Sequence, residues 1–157
     1  MQSILNYQIV KKIGEGSFAE VFHAQKDGQD VAIKVLRPPQ GMQTEDLLES
    51  LRYEFWVLKS LAHENIVQVY DFGSLQDGRV FLVEEWVPGT AFTEYCQGKA
   101  FKKIEPLFIQ AIQALQAIHN WKLTHGDIKP ENIIVTEHQG KAQAVSYTHL
   151  RAHETRP

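Results

Sequence analysis

Apolar and polar residues alternate through the first 25 positions of the chain. Tyr7, Ile9 and Ile13 precede a glycine-containing segment, and Phe22 and Ala24 follow it. Alternation with a period of two is typical of β-strands that bury one face. The pattern therefore predicts two strands joined by a short glycine-rich connection. A third strand is predicted at residues 31–34, where small and β-branched residues occur together.

The period changes from strand to helix further along the chain. Between Glu45 and Leu61 the apolar residues recur at helical spacing, which predicts an amphipathic helix. Between Ile104 and Trp121 the apolar face is broader and indicates a helix buried on more than one side. In order, the two sets are Leu47, Leu48, Leu51, Phe55, Leu58 and Leu61, then Leu107, Phe108, Ala111, Ile112, Leu115 and Ile118. We expect part of the second face to stay exposed, since few residues remain to cover it.

Composition indicates a globular chain and excludes few functions. Of 157 residues, 43% are hydrophobic and 22% are charged, which is enough to build a core. The net charge of −3 gives no reason to propose nucleic acid or an anionic membrane as a partner. The single cysteine, Cys96, excludes an internal disulfide. No signal peptide and no apolar span of about 18 residues is present.

The glycine-rich connection reads GEGSFAEV from Gly14 to Val21. Glycines let the backbone approach phosphate oxygens and offer them N–H groups. Gly14, Gly16, Phe18 and Val21 are therefore candidates for a phosphate-covering loop, with Ala19 in place of a third glycine. An ordinary hairpin turn explains the same residues on their own.

The predicted strand at 31–34 ends in a lysine, Lys34. A lysine in such an apolar run needs an anionic partner, because a buried ammonium is costly without compensation. Glu54 on the first predicted helix is a candidate partner for Lys34. A position on the solvated face of that helix is the alternative for Glu54, and Glu45 and Glu49 are also available.

A polar segment, HGDIKPEN, follows the second predicted helix. It spaces an acid, a cation and an amide as phosphoryl transfer requires: Asp127 to accept a hydroxyl proton, Lys129 to neutralise phosphoryl charge and Asn132 to hold magnesium. Pro130 stiffens the loop that carries them. The same residue types also occur in ordinary turns between apolar segments.

Taken in order, these motifs resemble a eukaryotic-type protein kinase domain over about residues 7 to 144. The motifs are GEGSFAEV, VAIK, the Glu54 helix followed by HENIVQVYDFG, FLVEEWVPG and HGDIKPENIIV. The resemblance implies an α+β fold: an antiparallel β-sheet small lobe with one main helix, then the first helices and the catalytic loop of a helical large lobe. It implies a small lobe and hinge at residues 1–88 and the start of an incomplete large lobe at 89–144.

The resemblance also implies ATP and Mg²⁺ as cofactors and assigns roles to residues. The implied ATP contacts are Gly14, Gly16, Phe18, Val21, Ala32, Lys34 with its partner Glu54, and the hinge positions Glu85 and Val87. The implied catalytic residues are Asp127 and Lys129, and the implied metal ligand is Asn132. Glu84 falls where the family usually has an apolar residue before the hinge, so the register there is open by one residue.

Within the family, Lys129 is similar to the serine/threonine branch and implies protein substrates with serine or threonine acceptors. Gly126 stands where the family usually has an arginine that grips a phosphorylated loop, which argues against that kind of control. An HGD loop ending in Asn also resembles aminoglycoside and choline kinases, so transfer to small molecules is an alternative. We expect a cytoplasmic protein that contacts neither nucleic acid nor, within these residues, a membrane.

The family's Asp-Phe-Gly motif is missing, since no aspartate follows Asp127. Residues 145–157 resemble translated sequencing-adapter sequence, and we expect this tail to be non-native or unstructured. The chain is then expected to be a truncated and inactive fragment of an active kinase. A pseudokinase or nucleotide-binding scaffold is the alternative.

Overall fold

The computed structural model describes residues 3–15, 19–124, 128–138, 141–146 and 151–152. The chain divides into two compact units. The first unit comprises residues 1–60 and 68–86, and the second comprises residues 61–67 and 87–157.

The first unit is a six-stranded antiparallel sheet with one helix. Its strands are β1 (Ser3–Ile4), β2 (Tyr7–Glu15), β3 (Ala19–Lys26), β4 (Gln29–Leu36), β5 (Val69–Ser74) and β6 (Val80–Glu85). They lie in the order β1-β2-β3-β4-β6-β5. Helix α1 (Thr44–Ser60) follows β4 in the chain and packs on β5 and β6. The strands and the helix predicted from the sequence are confirmed, and α1 begins one residue before and ends one residue before its predicted limits.

Each face of this sheet has its own environment, because side chains alternate along a strand. On one face, a core of aliphatic and aromatic side chains forms around Ile33, which is fully buried. Its other buried members are Tyr7, Ala24, Val31, Val35, Phe81 and Val83. On the opposite face, Phe55 of α1 meets Phe72 of β5 with ring centroids 4.8 Å apart. The sheet is therefore covered by α1 on the face that also carries Lys34.

Helix α1 begins at a defined hydrogen bond. The Thr44 hydroxyl donates to the Gly78 carbonyl oxygen over 2.9 Å. Glu45 and Asp46 occupy the first turn and Lys59 the last, which is the distribution of charge that the helix dipole favours. Leu51, Phe55 and Leu58 are buried, as the helical spacing predicts.

The second unit combines helices with short strands. Its elements are β7 (Thr90–Ala91), α2 (Phe92–Cys96), α3 (Phe101–Asn120), β8 (Leu123–Thr124), a 3₁₀ turn (Pro130–Asn132), β9 (Ile133–His138), β10 (Lys141–Ser146) and β11 (Arg151–Ala152). A three-stranded sheet has the order β10-β9-β7, and β11 pairs with β8. The core between α2, α3 and this sheet contains Phe92, Leu107, Ile133, Val135 and Ala144.

Residues 61–67 group with the second unit because they bind β10. The Val67 N–H donates to the Ser146 carbonyl over 3.0 Å, and the Ser146 N–H donates to the Asn65 carbonyl over 2.9 Å. The buried Asn65 side chain donates to the Ala144 carbonyl over 2.7 Å and to Gln110 on α3 over 3.1 Å. The sequence predicts a boundary after residue 88, and the structure has a boundary two residues earlier, after residue 86. The sequence-based division also assigns residues 61–67 to the first part of the chain, whereas the structure groups them with the second unit.

The tail expected from residue 145 onward begins inside β10. Val145 is buried against Val67 and Val87, and the strand continues to Ser146. Arg151 and Ala152 pair with Thr124 and Leu123. The structure thus places these four residues in strands, and Val145 and Ser146 extend a strand that is already paired along its length with β9. The non-native origin of the tail stays a prediction.

Helix α3 is longer than predicted at its start and exposes part of its apolar face. Leu107, Ala114 and Ile118 are buried, whereas Phe108 is 45% exposed and Ile112 is 61% exposed. The predicted exposure of this face is thereby confirmed. Within the described part of the chain, no helix combines the length and the apolar character needed to cross a membrane.

Candidate active site

The strand register of the first unit gathers several predicted site residues on one face. Lys34 on β4 pairs with Val21 on β3 and with Leu82 on β6. Ala32 on β4 pairs with Glu84 on β6. Residues that pair across antiparallel strands, and residues two apart in one strand, point to the same side. We call the face that these five residues share the Lys34 face.

The Lys34 face suits an anionic ligand that has an apolar part. Ala32 is buried, and Val21 and Lys34 are half-buried. A half-buried ammonium attracts an anion more strongly than a fully solvated one. Gly14 pairs with Val21, and among the described residues a Cβ added at Gly14 meets only Val21, at an ordinary distance of 3.8 Å. The fold itself therefore leaves space beside Gly14, which fits a site for a phosphate-bearing nucleotide.

Three predicted site residues lie outside the described residues: Gly16, Phe18 and Asp127. Their assignments rest on the sequence alone. Gly14, Val21, Ala32, Lys34, Glu54 and Glu85 belong to the first unit, and Val87, Lys129 and Asn132 belong to the second.

Glu84 is a buried acid on the Lys34 face. Its residue surface is 4% exposed. Burial raises the pKa of Glu84 to about 7, the Lys34 ammonium opposes this increase, and the Glu54 carboxylate adds to it. Glu54, which is half-buried, therefore lies close enough to the sheet to act on a buried group and is not confined to a solvated helix face.

Glu84 was not among the site residues predicted from the sequence. The available signal was an acid within the apolar run FLVEE, at a position where the resemblance implies an apolar residue. The pairing of β6 with β4 shows that the two adjacent acids have different surroundings. Glu84 pairs with Ala32 and is buried, whereas Glu85 pairs with Val31 and is half-buried.

The backbone around Glu85 restricts what this residue can offer to a ligand. The Glu85 N–H donates to the Gln68 carbonyl over 2.8 Å, and the Gln68 N–H donates to the Glu85 carboxylate over 3.3 Å. The prediction that Glu85 binds a nucleobase therefore narrows to its carbonyl oxygen. Val87, the other predicted hinge contact, buries its side chain against Val67 and Val145 in the second unit.

A histidine on the Lys34 face was also missed by the sequence analysis. His23 pairs with Ala32, and its ring stacks on Trp86 with centroids 4.1 Å apart and planes 13° apart. Its Nε2 lies 2.6 Å from the Asp30 carboxylate. Hydrogen bonds from Gln25, and then from His23, hold the pKa of Asp30 below its usual value. Nothing in the strand pattern predicts this stack, since it joins residues 63 positions apart.

In the second unit, a 3₁₀ turn positions Lys129 and Asn132. The Asn132 N–H donates to the Lys129 carbonyl over 3.0 Å, and Pro130 at the first position of the turn fixes its backbone. Lys129 is exposed and Asn132 is half-buried. Ile133, which follows at once, is buried in the core, so the turn is anchored at its end.

Asn132 is the one predicted metal ligand, and it lies among the described residues. They contain no group of three His, Cys, Asp or Glu side chains that could hold a metal ion. Asn132 offers one neutral oxygen, whereas protein-bound Mg²⁺ usually has one or two carboxylates together with phosphate oxygens and water. The assignment of Asn132 as a metal ligand therefore stays a prediction.

Comparison with known proteins gives a consistent result. The family model described as "Protein kinase domain" matches residues 7–147. The chain is 30% identical over 138 residues to CBL-interacting serine/threonine-protein kinase 15 of Arabidopsis thaliana. The aligned residues are 86% of this chain and 32% of that protein. It is 33% identical over 138 residues to the carbon catabolite-derepressing protein kinase of Saccharomyces cerevisiae. These aligned residues are 85% of this chain and 21% of that protein.

A third relative extends the comparison. CBL-interacting protein kinase 10 of Oryza sativa subsp. japonica is 32% identical over 136 residues, which are 85% of this chain and 30% of that protein. The chain thus spans a third or less of the length of each of these relatives. The family match ends three residues beyond the region of resemblance inferred from the motifs, and it includes Val145 and Ser146.

Proposed function

Because this chain belongs to the protein kinase domain family, we propose that it binds ATP as part of a protein serine/threonine kinase. The observation that carries the proposal is the Lys34 face, on which one cation and two small apolar residues share one side of a sheet. One of the relatives, that of Arabidopsis thaliana, is named as a serine/threonine-protein kinase. Lys129, two residues after Asp127, supports the serine/threonine branch. The cytoplasmic location stays a prediction.

In this proposal, each residue of the Lys34 face has a distinct role. Val21 and Ala32 give the nucleobase an apolar surface, and the Glu85 carbonyl accepts a hydrogen bond from it. The Lys34 ammonium neutralises charge on the α- and β-phosphates, and Glu54 orients that ammonium. Gly14 leaves room for the phosphates to approach the backbone.

The second unit is proposed to supply the chemistry of transfer. Asp127 orients the acceptor hydroxyl and takes its proton, and Lys129 neutralises charge on the transferred phosphoryl group. Asn132 would hold Mg²⁺, which neutralises phosphate charge when it is bound. Within these 157 residues no aspartate follows Asp127, so they do not contain the aspartate that shares magnesium binding with this asparagine in the family. We propose that the 157-residue chain binds nucleotide but does not transfer phosphate to protein substrates.

ATP binding to the purified chain tests this function. Lys34→Met should weaken binding by roughly 10- to 100-fold, since a charged hydrogen bond contributes about 1.5–3 kcal/mol. Lys26→Met is the matched control, because Lys26 lies on the opposite face of the sheet, 4.9 Å from the Tyr7 ring centre. Isothermal titration calorimetry on the three proteins measures the effect. Equal weakening in both variants would contradict a nucleotide site on the Lys34 face.

A further inference from the structure

Glu84 occupies an interior position in the sheet of the first unit. Its strand, β6, lies between β4 and β5, and Glu84 pairs with Ala32 on one side and with Val69 on the other. Helix α1 packs over the same part of the sheet. An acid at such a position loses hydration on every side, so its ionised form depends on neighbouring charges.

The charged groups on the elements around Glu84 act on it unequally. Strand β4 contributes Lys34, and helix α1 contributes Glu54 and Lys59. The Lys59 ammonium is engaged with the Val69 carbonyl over 3.2 Å. On β5, Asp71 accepts a hydrogen bond from the Phe72 N–H over 2.9 Å. Burial, and then the Asp71 carboxylate, raises the pKa of Tyr7, which lies on the other face.

Two further groups near Glu84 are engaged elsewhere. Burial, and then the Glu85 carboxylate, raises the pKa of Tyr70 on β5. The Glu85 carboxylate itself accepts a hydrogen bond from the Gln68 N–H. The charges that act on Glu84 are those of Lys34 and Glu54. Lys34 lies on the same face as Glu84, two residues from its strand partner Ala32, and the half-buried Glu54 belongs to the helix that packs on β6. These three side chains therefore form one electrostatic cluster.

The protonation state of Glu84 sets the charge of this cluster. With Glu84 neutral, the positive Lys34 and the negative Glu54 balance. With Glu84 ionised, the cluster carries one net negative charge. A nucleotide would bring further negative charge to the same ammonium. Anions that share one cation weaken each other's interaction, and they do so strongly where water is excluded.

We propose that ATP binding on the Lys34 face is linked to a proton held by Glu84. The neutral acid leaves the Lys34 ammonium to the phosphates, whereas the ionised carboxylate competes with them. By reciprocity, bound ATP makes Glu84 harder to ionise. Glu84 is then a positioning residue that acts on the nucleotide through Lys34. This inference rests on the proposed function for its ligand, but the cluster itself can be tested without nucleotide.

The first experiment follows the Glu84 carboxyl carbon by ¹³C NMR in the full chain, with Glu84→Gln used to assign its signal. We expect a titration midpoint near pH 7. Lys34→Met should move the midpoint to higher pH, and Glu54→Gln should move it to lower pH. Glu49→Gln is the matched control on the same helix, since Glu49 is exposed and pairs with Arg52. A midpoint that neither Lys34→Met nor Glu54→Gln moves would overturn the cluster.

The second experiment measures ATP affinity from pH 6 to pH 8.5 for the unmodified chain and for Glu84→Gln. The ratio of the two affinities cancels the titration of ATP itself. Affinity of the unmodified chain should fall relative to the variant as pH rises, by at most about tenfold per pH unit for one linked proton. Glu84→Leu, a second neutral replacement, should give the same pH profile as Glu84→Gln.

The outcomes separate the two proposals. If ATP binds and both proteins show the same pH dependence, the proton linkage is wrong and the proposed function stands. If ATP binds neither protein at any pH, the proposed function fails and the linkage fails with it. The NMR titration still decides in that case whether Lys34, Glu54 and Glu84 act on one another.

Discussion

The two units of this chain place their candidate functional residues in opposite ways. In the first unit, the residues lie within a regular antiparallel sheet, where the register fixes their direction and Glu84 is 4% exposed. In the second unit, Lys129 and Asn132 lie on one short turn, and Lys129 is exposed. Burial therefore controls the ionisation of Glu84 in the first unit, whereas Lys129 in the second unit remains in contact with water.

This difference determines how far sequence patterns can predict chemistry. Alternation correctly predicts β3, and the run of small and β-branched residues correctly predicts β4. The pairing of Val21 with Lys34 is seen only in the structure. The pKa of Glu84 depends on long-range packing of α1 and β5 on β6, which no local pattern contains. In the second unit, Lys129 and Asn132 lie on a single turn because the hydrogen bond that joins them is between residues three apart in the chain.

The largest expected effect is the pH dependence of stability that burial of Glu84 causes in the first unit. Glu84 has a raised pKa, so its contribution to the free energy of unfolding is fully present below its ordinary pKa of 4.5 and is lost as pH rises toward about 7. The loss amounts to about 3 kcal/mol, at 1.36 kcal/mol per pKa unit. Urea unfolding of the chain at pH 5 and pH 8 measures it.

The matched variant for this prediction is Glu84→Gln. It keeps the shape of the side chain and cannot ionise, so it should lose much less stability between pH 5 and pH 8. Any remaining decrease belongs to other groups. If the unmodified chain and the variant lose the same stability, burial of Glu84 does not control the pH response of the first unit.

The next largest effect is the loss of stability when a glycine is replaced by alanine, compared at one position in each unit. A Cβ added at Gly89 in the second unit would collide with the backbone carbonyl of Val135. Gly89→Ala should therefore lower the free energy of unfolding by about 1–3 kcal/mol, as overpacking does. In the part of the first unit that the structure describes, Gly14→Ala meets only an ordinary contact, so it should leave stability within about 0.5 kcal/mol.

Gly14→Ala is also informative for function, because Gly14 is proposed to leave space for phosphates. Weaker ATP binding with unchanged stability would show that this glycine serves the ligand and not the fold. A stable Gly89→Ala protein would contradict the close packing of residue 89 on β9.

The smallest effect concerns the exposed apolar face of α3. Ile112 is 61% exposed, so Ile112→Lys should change the free energy of unfolding by less than about 0.5 kcal/mol. It should nevertheless reduce self-association at high concentration, because exposed apolar patches promote it. Sedimentation velocity over a concentration series measures this. The neighbouring exposed position gives the control: Gln113→Lys adds the same charge without removing apolar surface, and an equal reduction would mean that charge alone is responsible.

Other features lay beyond sequence reasoning for physical reasons. The grouping of residues 61–67 with β10 depends on hydrogen bonds between positions about 80 residues apart in the chain. The stack of His23 on Trp86 likewise joins distant segments. The placement of Ser146 in β10 also depends on distant partners, since its backbone bonds to Asn65 and Val67.

The most direct test of the central claim is to map ATP binding by ¹H–¹⁵N NMR on the full chain. The account predicts that the largest amide shifts cluster at Gly14, Val21, Ala32 and Lys34, and that they weaken in Lys34→Met while remaining in Lys26→Met. Shifts that persist unchanged in Lys34→Met, or that weaken equally in Lys26→Met, would contradict it.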